Sequence, residues 1–434
     1  MTVSTRHMRT AAIVLGCLSL PASLLGQQSI RDTLRLGDLQ AAAIRHDPRG
    51  RQLQILANQT TLRLKTIDAD RLPSLSVNGQ AQYQSDVATI PITLPGVTIP
   101  LPPHDTYDAH LEARQKLFDP SLGGRRGVER AQLAASEASV RVALYTLRQN
   151  VNDAYFSVLA IQAQQLETDV QAQDLRAQLD VARQRVKEGV ALASEAATIE
   201  AAMLRKEQAL RDLAIQRQSA VFILSDLTGR PRESIGALEL GDRSAETAQV
   251  RRNLESLHAR PEFEQFSRDR DVLERQRAVA SAADLPRVSA FGRVGYGRPG
   301  LNPLARDFDS YWIAGLMLEW TPWNWGSTRR DRQILSLQER VVDTEQDAFA
   351  ESIKRSVDTD LSTIDRMESS LTEDDKIVAL REQIFRETQH KYAEGVITSA
   401  EYVDRQTDLV TAHLAQSEHR VNLERARAHL LTSL

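Results

Sequence analysis

The sequence predicts a mostly helical protein with a small β part, built from two internal repeats. Three observations predict this fold class. The composition is rich in charged residues (26%) and poor in aromatic residues (5%), as is typical of long helices. Sequence motifs of the first half recur in the same order in the second half. Short segments in each half alternate strictly between apolar and polar residues, which indicates strands.

The chain begins with a targeting signal. Two arginines precede an apolar stretch over residues 11–20, and a proline with small residues follows up to Gly26. This stretch is too short to span a bilayer, so we interpret residues 1–26 as a cleaved signal peptide. The only cysteine, Cys17, lies within it in the motif VLGC, so lipidation stays open as an alternative to ordinary cleavage. The sequence therefore predicts an exported protein, whose mature chain has no disulfides.

Two pairs of motifs reveal the duplication. LPSLSVNGQAQY (72–83) aligns with LPRVSAFGRVGY (285–296), and YDAHLEARQKLFDP (107–120) aligns with WIAGLMLEWTPWNW (312–325). The first repeat also contains a proline-rich loop, 91–103, that cannot be helical. The predicted domains are repeat 1 over 27–228, a short segment over 229–247, and repeat 2 over 248–434.

Each repeat has the same predicted order of elements. A first helix precedes two strands, which lead into a proline-free helical run long enough to reach roughly 100 Å. The run turns at a Glu-Gly-Val motif and returns as a final helix. The predicted first helices cover about 36–71 and 248–284; the strands cover about 73–87, 106–119, 286–298 and 310–323; the hairpin tips lie near 189 and 395.

The alternation in the strands predicts that they cross a membrane. In 107–117 the odd positions are mostly apolar and the even positions are charged or polar, and the counterpart from residue 312 keeps this phase. All four tryptophans, at 312, 320, 323 and 325, lie in one segment that we place at a strand end. Apolar-out strands with terminal aromatics are typical of transmembrane β-barrels, and Trp312, Trp320, Trp323 and Trp325 form the predicted aromatic girdle. The alternative is an amphipathic strand pair packed on a soluble core.

Four strands cannot close a membrane barrel. Unpaired backbone groups cost several kcal/mol each in hydrocarbon, and small membrane barrels begin at eight strands. Several protomers must therefore share one barrel, which makes the chain an obligate oligomer.

The order of these motifs resembles that of the TolC-like outer membrane factors. The resemblance covers nearly the whole mature chain. It depends on the duplication, on both Gly-Val helix breaks, and on three motifs: LHARPEFEQ (257–265), KLFDPSLGGRRGVERA (116–131) and EWTPWNWGSTRRDRQI (319–334).

The resemblance implies a homotrimer in the cell outer membrane. Three protomers contribute four strands each to a 12-stranded β-barrel, and their helical hairpins form an α-barrel in the periplasm. The segment 229–247 then belongs to an equatorial region at the waist. The implied function is the exit duct of a tripartite efflux pump or a type I secretion system. The implied partners are outer membrane lipid, a periplasmic adaptor protein and an inner-membrane transporter.

The resemblance also implies roles for residues at the two hairpin tips. Glu401 and Asp404 match acidic residues that narrow the tunnel mouth. Glu195 and Tyr392 match a link between the hairpins in the closed state, although Ile397 stands where an arginine would complete that link. The tips that turn the chain and dock the adaptor comprise Gly189, Val190, Glu195, Glu394, Gly395 and Val396.

Other functions find less support in the sequence. The formal charge of −4 gives no reason to expect nucleic-acid binding. No nucleophile motif, phosphate-binding loop or paired metal-ligating histidines occur, so we expect no catalytic site, cofactor or metal. A periplasmic adaptor-like coiled-coil protein is the main alternative, and a secreted enzyme on a helical scaffold is a weaker one. The cargo stays open: drugs, metal ions, peptides and proteins are all compatible with the sequence.

Overall fold

The computed structural model describes residues 34–88, 101–252 and 260–433. The predicted signal peptide with Cys17, most of the proline-rich loop, and residues 257–259 of the LHARPEFEQ motif lie outside the described residues.

The described chain consists of eight α-helices and four strands. The long helices α3 and α7 have 67 residues each, which corresponds to about 100 Å at 1.5 Å per residue. The predicted fold class, mostly α with a four-stranded β part, is confirmed. In chain order the elements are α1 (Leu36–His46), α2 (Gln52–Ala69), β1 (Ser74–Tyr83), β2 (Asp105–Phe118), α3 (Ser121–Lys187), α4 (Ala193–Thr228), α5 (Ser244–Arg252), α6 (Pro261–Ala282), β3 (Arg287–Arg298), β4 (Asp309–Glu319), α7 (Ser327–Ala393) and α8 (Ser399–Ser433).

The four strands form one antiparallel sheet in the order β1-β2-β3-β4. The strands β2 and β3 pair with each other, so the two repeats contribute adjacent halves of the sheet. Within the described residues, β1 and β4 are edge strands with one unpaired side each.

The predicted continuous helix over about 36–71 is wrong at Pro48. The helix α1 ends at His46, and a short 3-10 turn, Pro48–Arg51, separates it from α2. The Asp47 carboxylate caps this turn, since it accepts a hydrogen bond from the Arg49 backbone N–H at 2.8 Å. The residue before a proline is disfavoured in helical geometry, which explains the break.

The predicted helix over about 248–284 is also interrupted. The helix α6 begins at Pro261, and the preceding Arg260 is extended, with φ −71° and ψ 143°. Proline at the first helical position is favoured because its missing N–H would have no partner there.

Two long hairpins, α3 with α4 and α7 with α8, make up most of the helical part. The hairpins pack against each other through α3 and α8. One buried apolar cluster joins α1, α3 and α4 and includes Leu39, Tyr155 and Leu224. The segment after α4 packs on this cluster: Gln162 of α3 donates a hydrogen bond to the Leu238 carbonyl at 3.0 Å and accepts one from the Leu238 N–H at 3.1 Å. Among the described helices, none has the length and apolar character needed to cross a membrane.

Candidate functional site

One face of the sheet carries a continuous apolar surface. The register places Val77 opposite Leu111, Leu111 opposite Val294, and Val294 opposite Trp312, so these four residues form a row across all four strands. Val77 is 82% exposed and Trp312 is 73% exposed in the single chain. The helices of the same chain therefore do not cover this face, in contrast to the half-buried sheet of a soluble protein.

The opposite face carries charges that are paired with each other. The Glu112 carboxylate accepts hydrogen bonds from Arg114 and Arg293, both at 2.8 Å. The Asp108 carboxylate contacts His110 at 2.5 Å and accepts a hydrogen bond from the Tyr311 hydroxyl. Side chains from three strands thus form two hydrogen-bonded groups on this face, as expected for a face directed to a water-filled lumen.

The four tryptophans lie near both ends of β4. Trp312 is close to the beginning of the strand, and Trp320 directly follows its last residue. Trp323 and Trp325 lie beyond the strand, in the turn before α7, where their rings pack edge to face with centroids 5.8 Å apart. The sequence-based placement of all four at one strand end is therefore wrong for Trp312, which lies near the beginning of β4. Proline at position 322 is incompatible with continued strand pairing.

The two hairpin tips have the same backbone geometry. Gly189 and Gly395 follow the C-cap residues of α3 and α7 and adopt φ of 75° and 74°. In each tip the next residue donates its N–H to a carbonyl five residues earlier, Val190 to Arg185 at 3.0 Å and Val396 to Lys391 at 2.9 Å. This hydrogen bond is that of a Schellman motif, in which glycine takes the left-handed conformation at no steric cost.

The Schellman geometry leaves apolar side chains outside the helices. Val190 and Val396 are 65% and 67% exposed. Glu394 occupies the cap position of α7, and its N–H bonds to the His390 carbonyl at 3.0 Å. Each tip thus presents one exposed valine beside its glycine.

Tyr392 connects the two tips, although not through the predicted partner alone. Burial, and after it the charge of Glu195, raises the pKa of Tyr392, yet the buried Tyr392 hydroxyl has no hydrogen-bond partner among the described residues. Arg185 of α3 donates a hydrogen bond to the Tyr392 carbonyl at 3.0 Å, and its guanidinium lies 5.7 Å from the ring centroid. Ile397 packs against the apolar cluster between the tips.

Sequence reasoning missed Arg185. The first hairpin thus places a cation, Arg185, beside Tyr392. The sequence shows a basic residue there, since Arg185 and Lys391 occupy equivalent positions in the last turn of α3 and α7, but no sequence signal joins Arg185 to Tyr392. Basic residues there are favoured by the negative end of the helix dipole.

Glu401 and Asp404 lie in the first turns of α8. Both are exposed, and neither forms an ion pair with another described residue. Tyr402, between them, is fully buried, so the two carboxylates point away from the first hairpin. Asp408, one turn further on, is paired with Arg381 at 2.8 Å and with Arg405 at 3.5 Å.

Comparison with known proteins identifies the fold. Residues 38–230 match the family model "Outer membrane efflux protein". No curated protein sequence matches the chain. Three similar solved structures each cover 92% of this chain. They are the outer membrane protein VceC from Vibrio cholerae (14% identity, 95% of that chain, TM-score 0.64), CusC (15%, 91%, 0.67), described in connection with transmembrane channel formation, and the open state of the Neisseria gonorrhoeae outer membrane channel MtrE (16%, 88%, 0.62).

These similarities agree with the localisation predicted from the sequence, the cell outer membrane with the helical part in the periplasm. The matched family is described as outer membrane efflux proteins, and MtrE is described as an outer membrane channel. Residues 38–230 match the outer membrane efflux protein family, and the described chain as a whole has the fold of the TolC-like outer membrane factors.

Proposed function

We propose that the chain is an outer-membrane exit duct, a passive conduit that serves a tripartite efflux pump or a type I secretion system. The observation that carries this proposal is the sheet, with its uncovered apolar face and two unpaired edges. In hydrocarbon an open edge is too costly, so β1 of one protomer must pair with β4 of the next. Three protomers give twelve strands, within the range of closed membrane barrels.

The helical part supplies the path through the periplasm. The helices α3 and α7 run for about 100 Å from the sheet to the tips, which is far longer than a compact soluble domain requires. Their exposed valines, Val190 and Val396, lie at the far end. We propose that the helices of a periplasmic adaptor dock on these tips, where they contact the two valines, Glu394 and Glu195 of this chain. Docking of the adaptor and an inner-membrane transporter then opens the duct.

The tips also carry the proposed constriction. In a trimer Glu401 and Asp404 would each occur three times around one axis, and rings of carboxylates in a narrow pore attract cations. In the single chain neither carboxylate is neutralised by an ion pair, which supports this role. The contact of Arg185 with the Tyr392 carbonyl supports a closed-state link between the hairpins. Its cation is Arg185 of the first hairpin, whereas the resemblance implied an arginine at position 397.

The main alternative, a periplasmic adaptor-like coiled-coil protein, would also use long helical hairpins. It gives no role to the row Val77, Leu111, Val294 and Trp312, which a water-soluble protein would have to cover. The two functions therefore differ in what they require of the sheet.

The test uses the full-length protein in native outer membranes and, after purification, in planar bilayers. We expect cross-linking in the membrane to trap trimers, and we expect the purified trimers to form ion-conducting pores. A chain that stays monomeric in the membrane fraction, or trimers that never conduct, would refute the proposed duct.

A further inference from the structure

A largely buried polar cluster joins α3 to the first two turns of α8. It consists of buried Gln171 and half-buried Asp174 on α3 and of buried Tyr402 and Gln406 on α8. Asp174 lies about 20 Å along α3 from Gly189, at 1.5 Å per residue. Residues of this cluster lie three or four positions apart on their own helices, so each pair shares a helix face.

The surroundings of the cluster are apolar. Tyr402 is fully buried, and Gln171 and Gln406 are 2% and 3% exposed. Leu175 and Phe385 pack beside Tyr402, and the Tyr392 ring lies 4.9 Å from the Tyr402 ring. A carboxylate in such a place normally has a cation as its partner, because isolated charges are costly to bury.

Asp174 has no such cation among the described residues. Its described hydrogen-bond partners are two neutral donors: the Tyr402 hydroxyl at 2.8 Å and the Gln406 amide nitrogen. Charged groups on the adjacent helices are engaged elsewhere or stand alone. They are Arg176 of α3 paired with Glu207 of α4, Arg381 of α7 and Arg405 of α8 both paired with Asp408 of α8, and Lys206 of α4, which forms no ion pair with a described residue.

The polar cluster has fewer hydrogen-bond donors than buried acceptors. The side-chain oxygens of Gln171 and Gln406 are both buried without a donor. An ionised Asp174 adds only further acceptors. A protonated Asp174 adds one O–H donor. The Gln406 amide already donates its N–H to the carboxyl, and the oxygen of the same planar amide has no donor. Acid and amide can then form a reciprocal pair of hydrogen bonds.

We propose that Asp174 is a proton-sensitive contact between the two hairpins, and that protonation of its carboxyl strengthens their packing. One proton from solvent binds one oxygen of the Asp174 carboxylate, and the O–H group that forms donates a hydrogen bond to the Gln406 amide oxygen. No covalent bond other than this O–H bond changes. A role of this contact in the opening of the duct rests on the proposed function. The effect of the proton on the packing of the hairpins does not rest on it.

The direction of the pH effect follows from the environment. Burial raises the pKa of Asp174 above 3.8, and the hydrogen bonds from Tyr402 and Gln406 oppose this rise only in part. The packed state therefore binds a proton more readily than the separated state, in which the carboxyl is exposed. As the pH falls through the raised pKa, the packed state is stabilised, and the gain is complete below 3.8. Lowering the pH through the raised pKa of Asp174 should therefore tighten the contact.

Hydrogen exchange of the full-length trimer, read by mass spectrometry, tests the proposal. Exchange is measured from about pH 7 to about pH 4 and corrected for the intrinsic chemical rate. In the unsubstituted protein we expect protection of the segments around Asp174 and Gln406 to increase as the pH falls. The increase should be up to about tenfold for each pH unit between 3.8 and the raised pKa.

Asp174→Asn supplies an amide donor that needs no proton, so we expect high protection at every pH and no transition. The matched control is Asp169→Asn on the same helix, where Asp169 is exposed and bonded only to Gln173. Tyr402→Phe removes one donor from the carboxylate and should move the transition to higher pH, which a purely structural role for Tyr402 would not do.

A pH dependence that persists in Asp174→Asn as in Asp169→Asn overturns the proposal. If Asp174→Asn does not assemble, the Tyr402→Phe midpoint decides, and an unmoved midpoint overturns the proposal. Planar-bilayer recordings serve as a separate arm. If the unsubstituted protein forms no pores, the proposed duct fails, while the exchange data still decide the role of Asp174.

Discussion

An arginine at position 77 tests the membrane assignment of the sheet most directly. Val77 lies in the middle of β1 on the apolar face, 82% exposed and opposite Leu111 in the register. If this face meets lipid, Val77→Arg places a guanidinium in hydrocarbon. Such a substitution costs ~2–4 kcal/mol near the bilayer midplane. That cost corresponds to a decrease of roughly 30- to 700-fold in the insertion equilibrium of each protomer.

The adjacent residue provides the control. Ser76 faces the other side of the same strand, and its partner in the register is Glu112. An arginine there meets a carboxylate and water rather than lipid, so Ser76→Arg should assemble normally. Glu112 itself would be a poor control, because Glu112→Arg would leave three cations together with Arg114 and Arg293.

The assay is the yield of heat-sensitive trimer in outer membrane fractions, with total expression measured in parallel. We expect Val77→Arg to lose most of its trimer and Ser76→Arg to retain it. Leu316→Arg, on the apolar face of β4 and 72% exposed, should behave like Val77→Arg. Equal yields from the two β1 variants would refute the assignment of the faces, whichever level they share.

The remaining predictions concern the tips. Alanine at Gly189 or Gly395 should destabilise each tip by about 1–2 kcal/mol, because both glycines are left-handed. Gly395→Ala should be the more damaging in thermal unfolding, since its Cβ would lie 3.0 Å from the Arg185 guanidinium whereas that of Gly189 meets open space. Arg185→Gln should increase hydrogen exchange at the second tip; unchanged exchange would deny Arg185 a linking role. Replacing Glu401 and Asp404 with alanine should lower cation selectivity in planar bilayers, and this difference should fade at ~1 M salt, where screening shortens to ~3 Å. Unchanged selectivity at low salt would show that these carboxylates are only solvated.

The faces and the pairing of the strands were within reach of the sequence. A strand has a side-chain period of two, so alternation in 107–117 and its counterpart fixes which residues share a face. The duplication then placed four such strands in order, and the register of β2 with β3 joins the two repeats as expected for consecutive strands.

Contacts between the helices were not within reach. A helical period shows which residues share a face but not which distant helix that face meets, so Asp174 with Tyr402 and Arg185 with Tyr392 had no sequence signal that joined them. The break at Pro48 did have a signal, since an aspartate directly before a proline favours a turn over a helix. Trp312 was misplaced because the four tryptophans were treated as one group, although the segment that contains them is longer than the strand.

The two contacts of α3 with the second hairpin imply an order of separation. Arg185 reaches Tyr392 at the tip, where both the helix end and the guanidinium are partly solvated. Asp174 reaches Tyr402 about 16 Å further along α3, at 1.5 Å per residue, and there Tyr402 is fully buried and Asp174 half-buried. Between them Leu179 packs in the same apolar cluster. A partner that binds only the tip can displace Arg185 without exposing this cluster. Wider separation must expose apolar surface and the Asp174 carboxyl together, so the buried contact, and with it the pH, sets how far the hairpins can part.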